Sequence, residues 1–126
     1  MGTFMRTPNG CYPQYHTSAD DLTLVTPASL GESLLQLLRV VQVFEENARY
    51  LNLNPKCEPQ LGRRGLYRQI GGTKDAAARE LAMLWVLNLS DGHHDLFDIA
   101  IRSGAPFDQI RRAADALREA NLLATI

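Results

Sequence analysis

The chain has 126 residues, a formal net charge of -1 and apolar residues at 45% of its positions, enough for one or two small domains with a hydrophobic core. The near-neutral charge argues against a dominant nucleic-acid or membrane-surface role, because both depend on a basic field. The chain contains neither an apolar run of about 20 residues nor a signal-peptide core, so we expect no membrane partner and a cytoplasmic location with both cysteines reduced.

The first predicted element of regular structure is a long helix. Residues 1–25 lack strong periodicity, and Asn9-Gly10 indicates a tight turn. Thr26 is a good helix cap, and Pro27 suits the first helical position, where its missing N–H costs nothing. Apolar residues then recur at helical spacing, and the helix is predicted to run to about Tyr50. The recurring residues are Leu30, Leu34, Leu37, Leu38, Val41 and Phe44. A stripe this wide needs a surface to cover it.

The next segment, residues 51–72, is predicted to be a linker because prolines and glycines are frequent in it. Within it, Leu66–Ile70 is compatible with a short strand. Two adjacent arginines, Arg63 and Arg64, are commonplace in such a segment and do not by themselves indicate an anionic partner.

Residues 73–126 are predicted to form a compact helical block. Thr73 caps a first helix that Ser90-Asp91-Gly92 ends, and its inward positions are predicted to be Ala77, Leu81, Leu84, Trp85 and Leu89. Asp95 caps a second helix with Leu96, Ile99 and Ala100 inward, and Gly104 ends it. Pro106 opens a third helix that Asn121 ends, with Ile110, Ala113, Ala114 and Leu117 inward. Residues 122–126 form a final strand, and His93 and His94 fall in an exposed turn.

The spacing of Ala100, Gly104 and Ile110 is that of a helix-turn-helix. A small residue allows two helices to cross closely, a glycine takes the positive φ of the turn, and the isoleucine packs between the helices. With the preceding helix and the trailing strand, this pattern predicts a mainly α, winged-helix domain at 73–126.

The predicted recognition helix carries a mixed charge. Gln109 and Arg112 are the residues best placed to contact a base and a phosphate, whereas Asp108 at the helix start would face the phosphates unfavourably. Three arginines meet three acids on this helix. We therefore expect a solvated face stabilised by local ion pairs, and specific nucleic-acid binding is unlikely.

Five runs of the sequence carry a resemblance to a known family: Phe4–Pro8, Tyr15–Asp20, Tyr50–Gly62, Arg64–Tyr67 and Leu84–Gly92. They resemble the C-terminal region of a bacterial aminopeptidase-like zinc protein family, which shares the di-zinc aminopeptidase fold and carries a C-terminal winged-helix domain. The resemblance implies that residues 1–50 are a loop and a long helix from the end of an α/β peptidase domain. It also implies that the remaining zinc ligands and the general base lie upstream of Met1.

The resemblance implies that His16 is the last metal ligand. Asp20 or Asp21 could accept a hydrogen bond from its other ring nitrogen and orient the imidazole, or could cap a turn instead. From residue type alone, a single histidine near a turn is more often an ordinary surface residue, and a catalytic zinc needs about three protein ligands. Zinc is therefore expected in the intact parent protein, whereas this chain alone is expected neither to bind it tightly nor to be active.

Three functions are compatible with this reading. The first is a C-terminal part of an aminopeptidase-like zinc hydrolase whose winged-helix domain is a docking or oligomerisation module. The second is a stand-alone winged-helix DNA-binding regulator with an N-terminal dimerisation arm, which should show a basic face. The third is a purely structural tail that assembles the parent protein into oligomers. The expected partners are the rest of the peptidase domain, or a second copy bound through the helix at 27–50.

Overall fold

The computed structural model describes residues 3–67 and 74–126, and the chain divides into two compact units, Met1–Gln42 and Val43–Ile126. The described elements are the helices α1 (Pro27–Glu46), α2 (Lys74–Leu89), α3 (Leu96–Ser103) and α4 (Phe107–Glu119), and the strands β1 (Arg49–Asn52), β2 (Asp91–Asp95) and β3 (Leu123–Thr125). Within the described residues, none of the helices combines the length and apolar character that crossing a membrane requires.

The first unit consists of consecutive turns that lead into α1. The predicted turn at Asn9-Gly10 is confirmed, since Gly10 has a φ of 78° and the Cys11 N–H donates to the Pro8 carbonyl at 3.0 Å. The predicted start of the helix is also confirmed. The Ser29 N–H donates to Thr26 Oγ1 at 3.2 Å, and the Thr26 N–H donates to Ser29 Oγ at 3.0 Å. This reciprocal pair satisfies backbone donors at the helix start.

The end of α1 differs from the prediction. The helix ends at Glu46, and the predicted extension to Tyr50 is wrong, because Tyr50 lies in β1 and is buried. The intervening residues instead hold the start of α3: the Phe97 N–H donates to Asn47 Oδ1 at 3.0 Å, and the Leu96 N–H donates to the Ala48 carbonyl at 3.1 Å. Sheet pairing thus overrides the local helical pattern.

The second unit contains a three-stranded antiparallel sheet with the strand order β2-β1-β3. The predicted strand at residues 122–126 is confirmed as β3, and Leu51 of β1 pairs with Ala124 of β3. The other two strands were not predicted. The central strand, β1, precedes α2 in the chain, so the sheet of this domain includes residues well before Thr73.

The predicted helix-turn-helix is confirmed. The Asp98 N–H donates to Asp95 Oδ1 at 2.8 Å, and Gly104 adopts the left-handed conformation with a φ of 70°. A residue with a Cβ would be strained at that φ. The side chains of Ala100 and Ile110 are buried between the helices. All seven predicted inward residues of α3 and α4 are buried, and the mainly α winged-helix fold follows.

Helix α2 buries a different face from the one predicted. Leu81 and Leu84 are exposed, and Trp85 is only half-buried. The buried positions on this helix are instead Ala82, Met83, Val86 and Leu87. Because α2 is apolar around much of its circumference, periodicity alone did not distinguish the two faces.

The described residues that follow β1, 53–67, pack on the core of the second unit. Leu61 is fully buried, and the guanidinium of Arg64 donates from Nε to the Pro59 carbonyl and from Nη1 to the Ala120 carbonyl at the end of α4. This part of the predicted linker therefore belongs to the domain. Leu66 and Tyr67, where a strand was predicted, lie in a turn. The rest of that predicted strand and the predicted cap Thr73 lie outside the described residues.

Candidate functional site

The predicted metal ligand, His16, lies in a series of tight turns. The Thr17 N–H and Thr17 Oγ1 both donate to the Gln14 carbonyl, at 3.1 and 2.9 Å. These bonds fold the chain back at His16, whose backbone has a φ of 58°. Left-handed backbone at a non-glycine residue is uncommon, and in this chain Cys57, Gln60 and Asn121 adopt it as well. The imidazole is on the exposed surface, where a metal ion could reach it.

An aromatic contact orients the imidazole of His16. The ring centroids of Tyr15 and His16 are 4.1 Å apart with an interplanar angle of 63°, and the Tyr15 ring meets that of Tyr12 in a similar edge-on arrangement at 5.6 Å. Edge-to-face packing is a favourable geometry for aromatic rings. The residue types of the run Tyr15–Asp20 drew attention to it in the sequence, but they did not predict the contact between the two rings.

Asp20 and Asp21, the two acids predicted to orient His16, contact other groups. Asp21 Oδ1 accepts hydrogen bonds from the Thr23 hydroxyl at 2.7 Å and from the Thr23 N–H at 2.8 Å. These bonds hold the pKa of Asp21 below its ordinary value. Asp20 borders an open pocket with Arg6 and Tyr12. Among the described residues neither acid has a hydrogen bond to His16, so the orienting role stays a prediction.

The described residues do not form a complete metal site. Within residues 3–67 and 74–126, no group of three His, Cys, Asp or Glu side chains is close enough to hold a metal ion. A catalytic zinc takes about three protein ligands. The role of His16 as a metal ligand stays a prediction.

The predicted nucleic-acid residues lie on α4, where every arginine has an acidic partner. Arg112 Nη2 is 2.8 Å from Asp108 Oδ2, and Arg118 Nη2 is 3.5 Å from Asp115 Oδ1. Gln109, the other predicted residue, is half-buried. Because the arginine charges are matched on their own helix, α4 does not present the basic surface that phosphate contacts require.

The third arginine of α4, Arg111, contacts three carboxylates. Its Nε is 2.8 Å from Glu46 Oε2, its Nη1 is 2.9 Å from Asp115 Oδ2, and its Nη2 is 3.4 Å from Asp108 Oδ1. The Arg111 side chain is about one quarter exposed, which makes it less accessible than that of Arg112. Carboxylates of α4 and of the last turn of α1 therefore surround Arg111.

His93 and His94 lie in the edge strand β2, where an exposed turn was predicted. His94 Nδ1 is 2.9 Å from Asp91 Oδ2, and Asp91 Oδ1 accepts from the N–H groups of His93 and His94 at 2.8 and 3.1 Å. These backbone bonds, followed by the contact with the His94 ring, hold the pKa of Asp91 well below its ordinary value. The cluster thus fixes the start of β2.

The outer face of α2 is a further candidate surface. It was not predicted from the sequence, because its leucines and tryptophan were expected to lie in the core. On the outer face of α2, Leu81, Leu84, Trp85 and Asn88 line a shallow depression of about 280 Å³. Their spacing places them on one side of the helix over two turns. The spacing alone could have found this stripe, but it could not say that a second stripe occupies the core.

Comparison with known families matches this fold. A family model described as winged helix-turn-helix covers residues 48–125, which is more than half of the chain. The chain belongs to the winged helix-turn-helix family. Residues 1–47 match a second family model, described as a domain of unknown function (DUF4910).

This winged helix-turn-helix chain is similar to parts of two longer proteins, both from Clostridium acetobutylicum. One, described as a polysaccharide biosynthesis protein with an aminopeptidase-like domain, is 51% identical over 123 residues, which are 98% of this chain and 28% of that protein. The other, a crystal structure described as that of a peptidase, is 46% identical with a TM-score of 0.77 and is matched over 93% of this chain and 25% of its own. The chain thus spans about a quarter of these relatives. Their names agree with the aminopeptidase-like family that the sequence resembles.

Proposed function

We propose that this chain is the C-terminal part of an aminopeptidase-like zinc hydrolase, in which His16 is one zinc ligand and the winged-helix domain is a docking module for protein surfaces. The parent reaction is removal of N-terminal residues from peptides or hydrolysis of a related amide. The relative with an aminopeptidase-like domain supports the first part, since it matches nearly all of this chain.

The observation that carries the docking role is the pairing of every arginine on α4 with a carboxylate. A DNA-reading helix needs cations that neutralise phosphates and release counterions. A helix whose arginines already have carboxylate partners would lose those pairs and bring acids close to the phosphates. Protein docking carries no such requirement, and winged-helix folds serve many functions.

The placement of His16 supports a ligand role in the intact protein. Its imidazole is accessible, and the Tyr15 ring packs against it with the ring centroids 4.1 Å apart. A neutral imidazole is a common zinc ligand, and fixing its orientation favours metal binding. The chemistry that zinc supplies when bound is polarisation of the scissile carbonyl and activation of water.

The test measures zinc content and turnover in a full-length protein that carries this chain. We expect His16→Ala to lower the bound zinc and to reduce hydrolysis of aminoacyl p-nitroanilides by at least 100-fold, because a ligand is lost. His93→Ala, which changes an exposed histidine of β2, is the matched control and should leave both unchanged. The 126-residue chain alone should have no turnover.

Two results contradict this function. Unchanged zinc content and turnover in the His16→Ala protein would remove His16 from the metal site. Turnover by the 126-residue chain alone that His16→Ala abolishes would show that a complete site exists within it.

A further inference from the structure

The structure assigns the outer face of α2, formed by Leu81, Leu84, Trp85 and Asn88, as the surface through which the winged-helix domain docks on the peptidase-like remainder of its own polypeptide. This inference rests on the proposed function, because it requires the longer polypeptide that the relatives possess. It deepens that function by naming the docking surface and its partner.

Helix α2 carries apolar side chains on two faces, of which one is buried. Its inner face, with Met83 and Val86, is fully buried in the core of the domain. Its outer face still carries large apolar side chains, since Leu81 is 56% and Leu84 is 42% exposed. A helix that is apolar on two faces is normally covered on both. The second cover is not supplied by the described residues of this domain.

The outer face of α2 is apolar and uncharged. The four side chains are two leucines, a tryptophan and an uncharged amide, and they line one depression. Tryptophan is enriched at the centres of interfaces because it removes a large apolar area from water and its indole N–H can still find a partner. The partner surface is accordingly an uncharged apolar segment. The charged face of α4 does not have this chemistry.

The outer face of α2 is small for a protein interface. Stable complexes of separate proteins bury roughly 20–30 residues on each side, far more than the four residues here. A tethered partner needs less, because a short linker holds it at an effective concentration in about the millimolar range. The matched relative is a longer polypeptide, since the match covers only 28% of its length, so its remainder is covalently joined to this domain. These observations favour the same polypeptide over a second copy.

The test compares cysteine accessibility in two settings, the 126-residue chain and a chimera. The chimera is the full-length Clostridium acetobutylicum relative with its matching segment replaced by this chain. The exposed Cys11 and Cys57 are first changed to serine. A reporter is then introduced as Leu81→Cys on α2. The control is Ile101→Cys on α3, which replaces a similarly exposed apolar residue, 65% against 56%. Reaction with a maleimide is timed under native conditions.

We expect both reporters to react at similar rates in the 126-residue chain. In the chimera the cysteine at position 81 should react at least tenfold more slowly, whereas the one at position 101 should not change. Adding Leu84→Lys should restore the reaction at position 81, because a buried lysine opposes docking. Thermal melts of the same proteins separate loss of docking from loss of folding.

Equal rates at position 81 in the chimera and in the 126-residue chain would overturn the inference. Protection that already occurs in the 126-residue chain and grows with its concentration would also overturn it, in favour of a second copy. Zinc content and turnover of the same chimera report on the proposed hydrolase separately. Protection without turnover, or turnover without protection, therefore distinguishes the two failures.

Discussion

Arg111 and Glu46 join α4 to the last turn of α1, with the guanidinium Nε 2.8 Å from the carboxylate Oε2. Both side chains are largely shielded, at 26% and 34% exposed. Asp115 and Asp108 surround the same guanidinium. Glu46, which lies outside α4, thus helps to hold Arg111, the most buried arginine of α4. Helix α4 is the one that occupies the position of the recognition helix in the helix-turn-helix.

Arg111→Ala should lower the free energy of unfolding by about 1–2 kcal/mol, because it leaves a partly shielded carboxylate without its cation. Urea denaturation measures the loss. Arg112→Ala is the matched control on the same helix, and because its ion pair is more exposed the change should be under about 0.5 kcal/mol. Equal effects of the two substitutions would contradict the structural role assigned to Arg111.

Leu61→Ala tests whether the segment after β1 belongs to the folded domain. Leu61 is fully buried, so its truncation should cost about 2–5 kcal/mol of unfolding free energy through lost burial and a cavity. Leu53→Ala removes the same atoms from a side chain that is 54% exposed, and it should cost well under half as much. A true linker would show no difference between the two variants in thermal or urea melts.

Duplex DNA should bind the chain no more tightly than about 10⁻⁴ M at physiological salt, which is the weak end of non-specific association. The reason is the matched charge of α4. Fluorescence anisotropy with labelled duplexes of several sequences measures the affinity. Submicromolar, sequence-dependent binding that Gln109→Ala or Arg112→Ala abolishes would favour the DNA-binding regulator over the docking module.

The Asp91 cluster should make the domain sensitive to acid. The pKa of Asp91 in the folded chain is held well below its ordinary value, first by the backbone N–H groups of His93 and His94. Its stabilising contribution is therefore present above the unfolded-state pKa of about 3.9 and is lost as the pH falls through and below that value. Asp91→Asn should show a smaller drop in melting temperature between pH 6 and pH 3 than the unmodified chain. The control is Glu119→Gln, which removes an exposed charge elsewhere. If the melting temperature of Asp91→Asn falls as much between pH 6 and pH 3 as that of the unmodified chain, this contribution is excluded.

The exposed apolar face of α1 should drive self-association of the 126-residue chain. No residue of α1 is buried, and Leu34 and Leu38 are 58% and 56% exposed. Patches of this kind are rare on soluble monomers. Leu34→Lys combined with Leu38→Lys should lower the mass measured by light scattering, because the charges oppose burial. A wild-type chain that stays monomeric at high concentration would argue that this face does not associate with a second copy.

The sequence by itself determined the local features whose energetics are local. A capping aspartate at Asp95, a positive-φ glycine at Gly104 and an apolar stripe on α4 were predicted and are present, because each depends on residues within a few positions of one another. The helix-turn-helix followed from these features. The left-handed conformation of His16 was not among the predicted features.

Only the tertiary structure decided the long-range features. Tyr50 could extend a helix or enter a sheet, and it enters the sheet because β2 and β3 pair on either side of β1. Leu61 lies among turn residues, yet contacts distant in sequence bury it completely. On α2 both faces are apolar, so the choice between Val86 and Leu84 as the buried residue depends on where α4 packs. Pairing and packing between distant segments made these choices, and local periodicity does not contain them.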